Sequence, residues 1–197
     1  VVLGGNGSLS SGLLEFSGGG LSSDGTTART VSNALRFDGS PVSLGLSGKT
    51  GKLTLTGAGT IAADTSISVV YGLHELSGVL GGAGKLTKVG ASGLTLSGAN
   101  TYSGGTRLAA GELYLGGSSA LGSGVLEFGG GSLGSDGATA RTVSNALLFD
   151  GSVVSLGVSG KTGKLTLTGA GTITADTSIS VVSVSYTHLR AHETRED

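Results

Sequence analysis

His188 and His192 stand four residues apart with Glu193 beside the second. That spacing sets two imidazoles on one side of a helical turn, where they can share a divalent metal. Ser47-Gly48-Lys49-Thr50, repeated as Ser159-Gly160-Lys161-Thr162, carries the closing residues of a phosphate-binding loop. The complete pattern needs a glycine where Ser43 and Ser155 stand, and it needs a helix afterwards. The run KLTLT comes next instead, and it reads as a strand. Five carboxylates are candidates for acid–base work: Glu15, Asp24, Asp38, Asp64 and Glu75. Glycoside cleavage needs two carboxyls about 5–10 Å apart, one of them with a raised pKa. The spacing selects no such pair, and four of the five recur as Glu127, Asp136, Asp150 and Asp176, as turn and register residues do. The Asp-containing Gly-rich stretches 19–25 and 130–137 lack the nine-residue period of calcium-binding turns. His74, next to Glu75, reads as a solvated or hydrogen-bonded strand residue. No catalytic residue, metal ligand or cofactor is expected.

The elements that must carry these residues are short strands. Gly makes up 40 of 197 residues, yet Leu and Val recur between the glycines, so there is apolar surface to bury. Leu94-Thr95-Leu96-Ser97 and Glu112-Leu113-Tyr114-Leu115 alternate with the period of a strand. Asp24-Gly25, Asp38-Gly39, Asp136-Gly137 and Asp150-Gly151 mark turns between such runs. Residues 12–70 return at 124–182 with nine differences, among them Pro41 against Val153 and Arg36 against Leu148. A proline cannot donate to a ladder, so Pro41 belongs at a strand edge or corner. A chain that repeats strand-and-corner units suits a parallel β-solenoid better than a sandwich. At roughly 20 residues per coil, the expectation is an all-β solenoid of about nine coils with uncapped ends. Lys85 and Lys88 are expected on its outer face, and Tyr102 and Tyr114 at packed corners. Asn100 is expected to cap a turn through its side chain and to ladder with neighbouring coils.

A formal net charge of −1 without a Lys/Arg cluster gives nucleic acid little to bind. With 0 Cys there are no disulfides or thiolate sites. The chain opens on Val1 with no signal peptide and reads as an internal fragment. After Val182 the repeat stops, and 184–194 resembles one reading frame of a sequencing adapter. Residues 184–197 are therefore read as a non-native tail, which removes the His188/His192 pair from consideration. The expected organisation is one solenoid over 1–183, with long units 1–112 and 113–183.

The stretch 84–115 resembles the autotransporter-associated β-strand repeat, also called the passenger-associated transport repeat. The matching positions are Gly84, Leu86, Thr87, Lys88 and Gly90, then Leu94, Leu96, Gly98, Asn100, Tyr102, Gly104 and Gly105, and finally Gly111 and Leu113. Ser92-Gly93 departs from the usual Gly-Thr of the pattern. The resemblance implies a right-handed parallel β-helix in the passenger of a type V secreted surface protein. Its partner would be an outer-membrane β-barrel at the C-terminal end of the full-length protein. It also implies a structural stalk that supports translocation and display; an adhesin for a surface glycan or protein, and a polysaccharide-cleaving enzyme, are the alternatives.

Overall fold

The computed structural model describes residues 1–182. The chain winds through three parallel faces in turn, and every strand pairing is parallel. The first face stacks nine strands: β1 (Val2–Leu3), β3 (Gly20–Ser23), β6 (Val42–Leu44), β9 (Thr65–Val69), β12 (Leu86–Val89), β14 (Thr106–Leu108), β16 (Leu126–Phe128), β19 (Leu147–Phe149) and β22 (Gly171–Ile173). The second face stacks β4 (Arg29–Val31), β7 (Leu53–Leu55), β10 (His74–Leu76), β13 (Gly93–Leu96), β15 (Glu112–Leu115), β17 (Ser132–Ser135), β20 (Val154–Leu156) and β23 (Ile179–Val181). The third face begins with β2 (Leu14–Phe16), β5 (Leu35–Phe37), β8 (Gly59–Ile61) and β11 (Leu80–Gly81). It continues through the irregular stretches 98–102 and 117–123, bonded coil to coil by Thr101 N to Leu80 O at 2.8 Å and Ser123 N to Tyr102 O at 3.0 Å. It ends with β18 (Arg141–Val143) and β21 (Leu165–Leu167). One strand per coil on the first face gives nine coils among the described residues. Most strands have only three residues, shorter than the alternation suggested, because each side of the coil is short.

Each strand points alternate side chains into the coil, where they stack on the same position one coil away. One such column runs Val42, Ile67, Lys88, Leu108, Phe128, Phe149 and Ile173. Phe16 and Phe37 stack with ring centroids 4.9 Å apart on the third face, and Phe128 and Phe149 at 4.7 Å on the first. These are the same two residues of the long repeat, on different faces. From β2 to β16 the chain passes fourteen strands and the two irregular stretches, sixteen sides, or five coils and one side more. The second copy is therefore rotated by one face relative to the first. Pro41 precedes β6 at an exposed corner, as expected, and Val153 occupies the equivalent exposed corner.

The repeat also supplies an internal comparison for the ends. Ile61, Ile67 and Val69 are wholly buried, whereas their second-copy counterparts Ile173, Ile179 and Val181 are 63%, 45% and 48% exposed. The sequence is the same; what differs among the described residues is a covering coil, supplied in the first copy by β11 and β12.

Corners are where the chain has least freedom. Gly57, Gly78 and Gly98 stand above one another between the second and third faces, as do Gly84, Gly104 and Gly124 between the third and first. Gly90, Gly111 and Gly131 form the column between the first and second. A Cβ on any of the nine would lie less than 3.0 Å from backbone of the preceding coil. In the last column all three residues also have φ between 71° and 82°. Gly48 has a similar φ of 71° but open space around it. Gly48→Ala is expected to cost about 1 kcal/mol from left-handed strain alone. Gly111→Ala, strained and overlapping, is expected to cost about 3 kcal/mol or more. Denaturant midpoints of the two variants check the difference.

Candidate functional site

The motif residues over 84–115 form the fifth and sixth coils, and most of their side chains face one another rather than solvent. Leu86, Leu94, Leu96 and Leu113 are buried. Thr87 lies on the outer side of β12, in register with Ser66 and Arg107. Gly84, Gly90, Gly98, Gly104 and Gly111 belong to the corner columns, and Gly105 has φ 89° beside the backbone of Val125.

Lys88 is a correction to the expected outer placement. It shares parity with Leu86, so it points inward, between Ile67 below and Leu108 above, and is fully buried. Lys85, of opposite parity, does face outward, where Nζ meets Glu127 at 3.1 Å. The Lys88 stem continues the aliphatic column. Its Nζ donates to the carbonyls of Val89 at 2.9 Å, Gly90 at 2.8 Å and Ala110 at 3.2 Å. Three hydrogens for three acceptors is the full capacity of an ammonium. Burial pulls its pKa down to about 8, with Glu112 pulling the other way.

Asn100 bridges three coils. Its Oδ1 accepts from Leu80 N at 2.8 Å and its Nδ2 donates to Ala120 O. The third face is irregular here, so the amide replaces ladder bonds that backbone alone does not make. Among the described residues no column of stacked Asn side chains accompanies it; Asn33 and Asn145 instead each donate to two carbonyls of the preceding coil. Tyr102 is buried, with its hydroxyl 2.6 Å from Thr106 Oγ1, which donates onward to Leu121 O at 3.1 Å. Tyr114 lies on the outer side of the second face, over the space a Cβ on Gly93 would need. Its hydroxyl donates to Glu112 at 2.6 Å, and Lys161 stands 5.4 Å from its ring centre. Burial raises both phenol pKa values well above the usual range.

The candidate carboxylates are engaged in pairs and turns, not gathered. Glu15 pairs with Arg36, Asp24 with Arg29 and Asp136 with Arg141. Asp64 accepts from the backbone N–H of Lys85 at 2.8 Å. Asp176 sits in an exposed turn before β23. Asp38 accepts from Ser40 N at 2.8 Å, a bond that lowers its pKa. Burial would raise Glu75, but bonds from Lys52 and Ser97 outweigh it and the pKa is lowered. Asp150 is likewise held low, by Ser152 and then Arg107. A general acid needs the opposite displacement. On the first face Lys85, Glu127, Arg107 and Asp150 form one ionic chain over coils five to eight. That chain explains Arg36 against Leu148: Glu15 takes its cation from the next coil, whereas Glu127, one face round, takes it from coils below. The Ser-Gly-Lys-Thr stretches lie in loops leading into β7 and β21, and Lys49 and Lys161 bond the carbonyls of Asp24 and Asp136. His188, His192 and Glu193 lie outside the described residues.

A family model, described as the passenger-associated-transport-repeat, matches residues 86–115. That stretch is similar to the passenger-associated transport repeat. The match covers the fifth and sixth coils, and the family is a structural passenger repeat rather than a catalytic one. No curated protein and no solved structure matches the chain. The repeat and the stacked parallel coils together fit an autotransporter passenger.

One piece of this arrangement was hidden in the sequence and one was left open. The ionic chain becomes visible only when positions 20, 42 and 43 residues apart are compared, and of the two readings of His74, solvated or hydrogen-bonded, the structure has the hydrogen-bonded one, fully buried. Two predictions concern the repeat itself. Asn100→Ala leaves Leu80 N and Ala120 O unpaired and is expected to cost about 2–4 kcal/mol, read from the denaturant midpoint. Folded Lys88 binds fewer protons than the unfolded chain between about pH 8 and pH 10. Stability is therefore expected to rise across that window by up to about 1.4 kcal/mol per pH unit. Above it, Tyr102 and Tyr114 keep protons that the unfolded chain loses, and the trend reverses. Lys88→Met should flatten the rise, measured by denaturation across pH 7.5–10.

Proposed function

We propose that this chain is a non-catalytic stalk segment in the passenger of a type V secreted surface protein. It crosses the outer membrane unfolded, folds outside and holds distal regions away from the cell. One observation carries the reading: the residues of the transport repeat are spent on stacking coil on coil. Leu86, Lys88, Leu94, Leu96, Asn100, Tyr102 and Leu113 all face or bridge neighbouring coils. Such a coil offers the next one a ready register, so folding can proceed from one end and disfavour slipping back. The partner in this reading is the outer-membrane β-barrel at the C-terminal end of the full-length protein. The same reading takes 1–183 as one solenoid, with long units 1–112 and 113–183, and sets 184–197 aside as non-native.

A hybrid tests this. The chain is placed between a signal sequence and an outer-membrane translocator barrel, with an epitope tag at its N-terminal end, in a Gram-negative host. Deleting residues 84–103 removes one coil between equivalent corner glycines, and the tag is expected to reach the surface as before. Deleting 84–93 breaks the register and should reduce tag exposure several-fold, scored by antibody binding to intact cells. Failure of the intact hybrid to display the tag, or equal display from both deletions, would sink the stalk reading.

A further inference from the structure

His74 is a buried titratable group that stacking alone does not require. It opens β10 on the second face and is fully buried. Its Nδ1 accepts a hydrogen bond from Leu53 N at 3.0 Å, where the chain re-enters the coil from the loop 45–52. Its Nε2 is buried without a hydrogen-bond partner. The ring fills the gap at the foot of that loop. A Cβ on Gly45 would come 2.6 Å from Nε2, and one on Gly72 would come 3.1 Å from Cε1. From below, the loop is tied to the second coil by Gly51 N to Gly25 O and Lys49 Nζ to Asp24 O, both 2.9 Å. From above, the imidazole closes it.

We propose that His74 is a pH-responsive joint, whose protonation unseats the ring and parts the third and fourth coils at the 45–52 loop. An imidazolium carries hydrogens on both nitrogens. Protonated Nδ1 would face the Leu53 N–H donor to donor; the backbone carbonyls of Tyr71 and Leu44 favour the charged ring, but burial outweighs them. The charged surroundings do nothing to accept the added charge. Lys52, at the end of the loop, repels it, and Lys49 is tied down to Asp24 O. Glu75, the next residue along β10, points to the opposite side and pairs with Lys52 at 2.6 Å. Tyr71 in the corner above is an exposed phenol, and the inward residues of strands β6 and β13, Leu44 and Leu94, carry no charge. Burial accordingly lowers the imidazole pKa. A base depressed in this way leaves stability intact above its unfolded value near 6.5 and loses it as pH falls below.

Hydrogen exchange of the full chain at pH 7.5 and 5.0, corrected for intrinsic rates, tests the joint. Opening at Leu53 and the 45–52 loop is expected to rise up to roughly 30-fold at pH 5.0. His74→Asn places an amide oxygen near the Nδ1 position and does not titrate, so its opening should change by less than about twofold. Equal pH dependence in both proteins overturns the proposal. If the variant does not fold, the NMR titration of His74 in the unaltered chain decides. A folded-state value at or above about 6.5 overturns the joint, and one clearly below supports it.

Discussion

The whole solenoid hangs on how closely one coil can lie on the next at its corners. Along the sides, hydrogen bonds set the separation at about 4.8 Å, and side chains stack in register. At the corners the chain turns while staying on that spacing, and backbone meets backbone. Three glycine columns, each with a member in the neighbourhood of the matched repeat, mark these contacts. They fix the side lengths of the triangle, hence the residues available per strand, hence which positions point inward. A short side of about three residues admits two inward side chains or one. That is why the core is a set of aliphatic columns with two stacked phenylalanine pairs, not a layer of large residues.

Coils of unequal length create the second demand. Where a loop or an irregular stretch interrupts a strand, amides of the neighbouring coil lose their ladder partners, and a buried unpaired amide is costly. Three polar side chains meet that demand from inside or beside the core. Asn100 supplies both an acceptor and a donor for the third face. His74 supplies an acceptor to Leu53 at the foot of the 45–52 loop. Lys88 gathers three carbonyls at the corner leading from β12. Each therefore has a structural reason for being polar in an apolar column, and none needs a ligand to be satisfied, apart from the second nitrogen of His74.

Much of this was legible in the residues. Alternation in Leu94-Thr95-Leu96 and the Asp-Gly turns gave the strands and corners, and the 112-residue repeat with its shorter echoes gave stacking over sandwich. Side assignment was less legible. Lys88 obeys the same parity as Leu86, but its charge argues for solvent, and only the ring of carbonyls around Nζ reverses that argument. The burial of His74 was less legible still: it depends on the length of a loop three strands earlier, not on its own neighbours. The Lys85–Glu127 contact spans 42 residues, two coils, and pattern-reading along the chain does not reach so far.

The mismatch between the long repeat and the coil bears on what the outer surface can do. Sixteen sides do not divide evenly by three, so a segment repeated nearly unchanged lands on the next face. Inward positions tolerate this, because each face presents the same kind of aliphatic column; Phe16/Phe37 and Phe128/Phe149 stack equally well on different faces. Outward positions do not, since their neighbours above and below change. The exchange of Arg36 for Leu148 beside a retained glutamate is the local adjustment. A repeat that preserves inner packing while scattering its outer residues around the axis conserves a scaffold more than a one-sided binding strip. Three such units, sixteen coils, would be needed before the same outer residue faced the same way again.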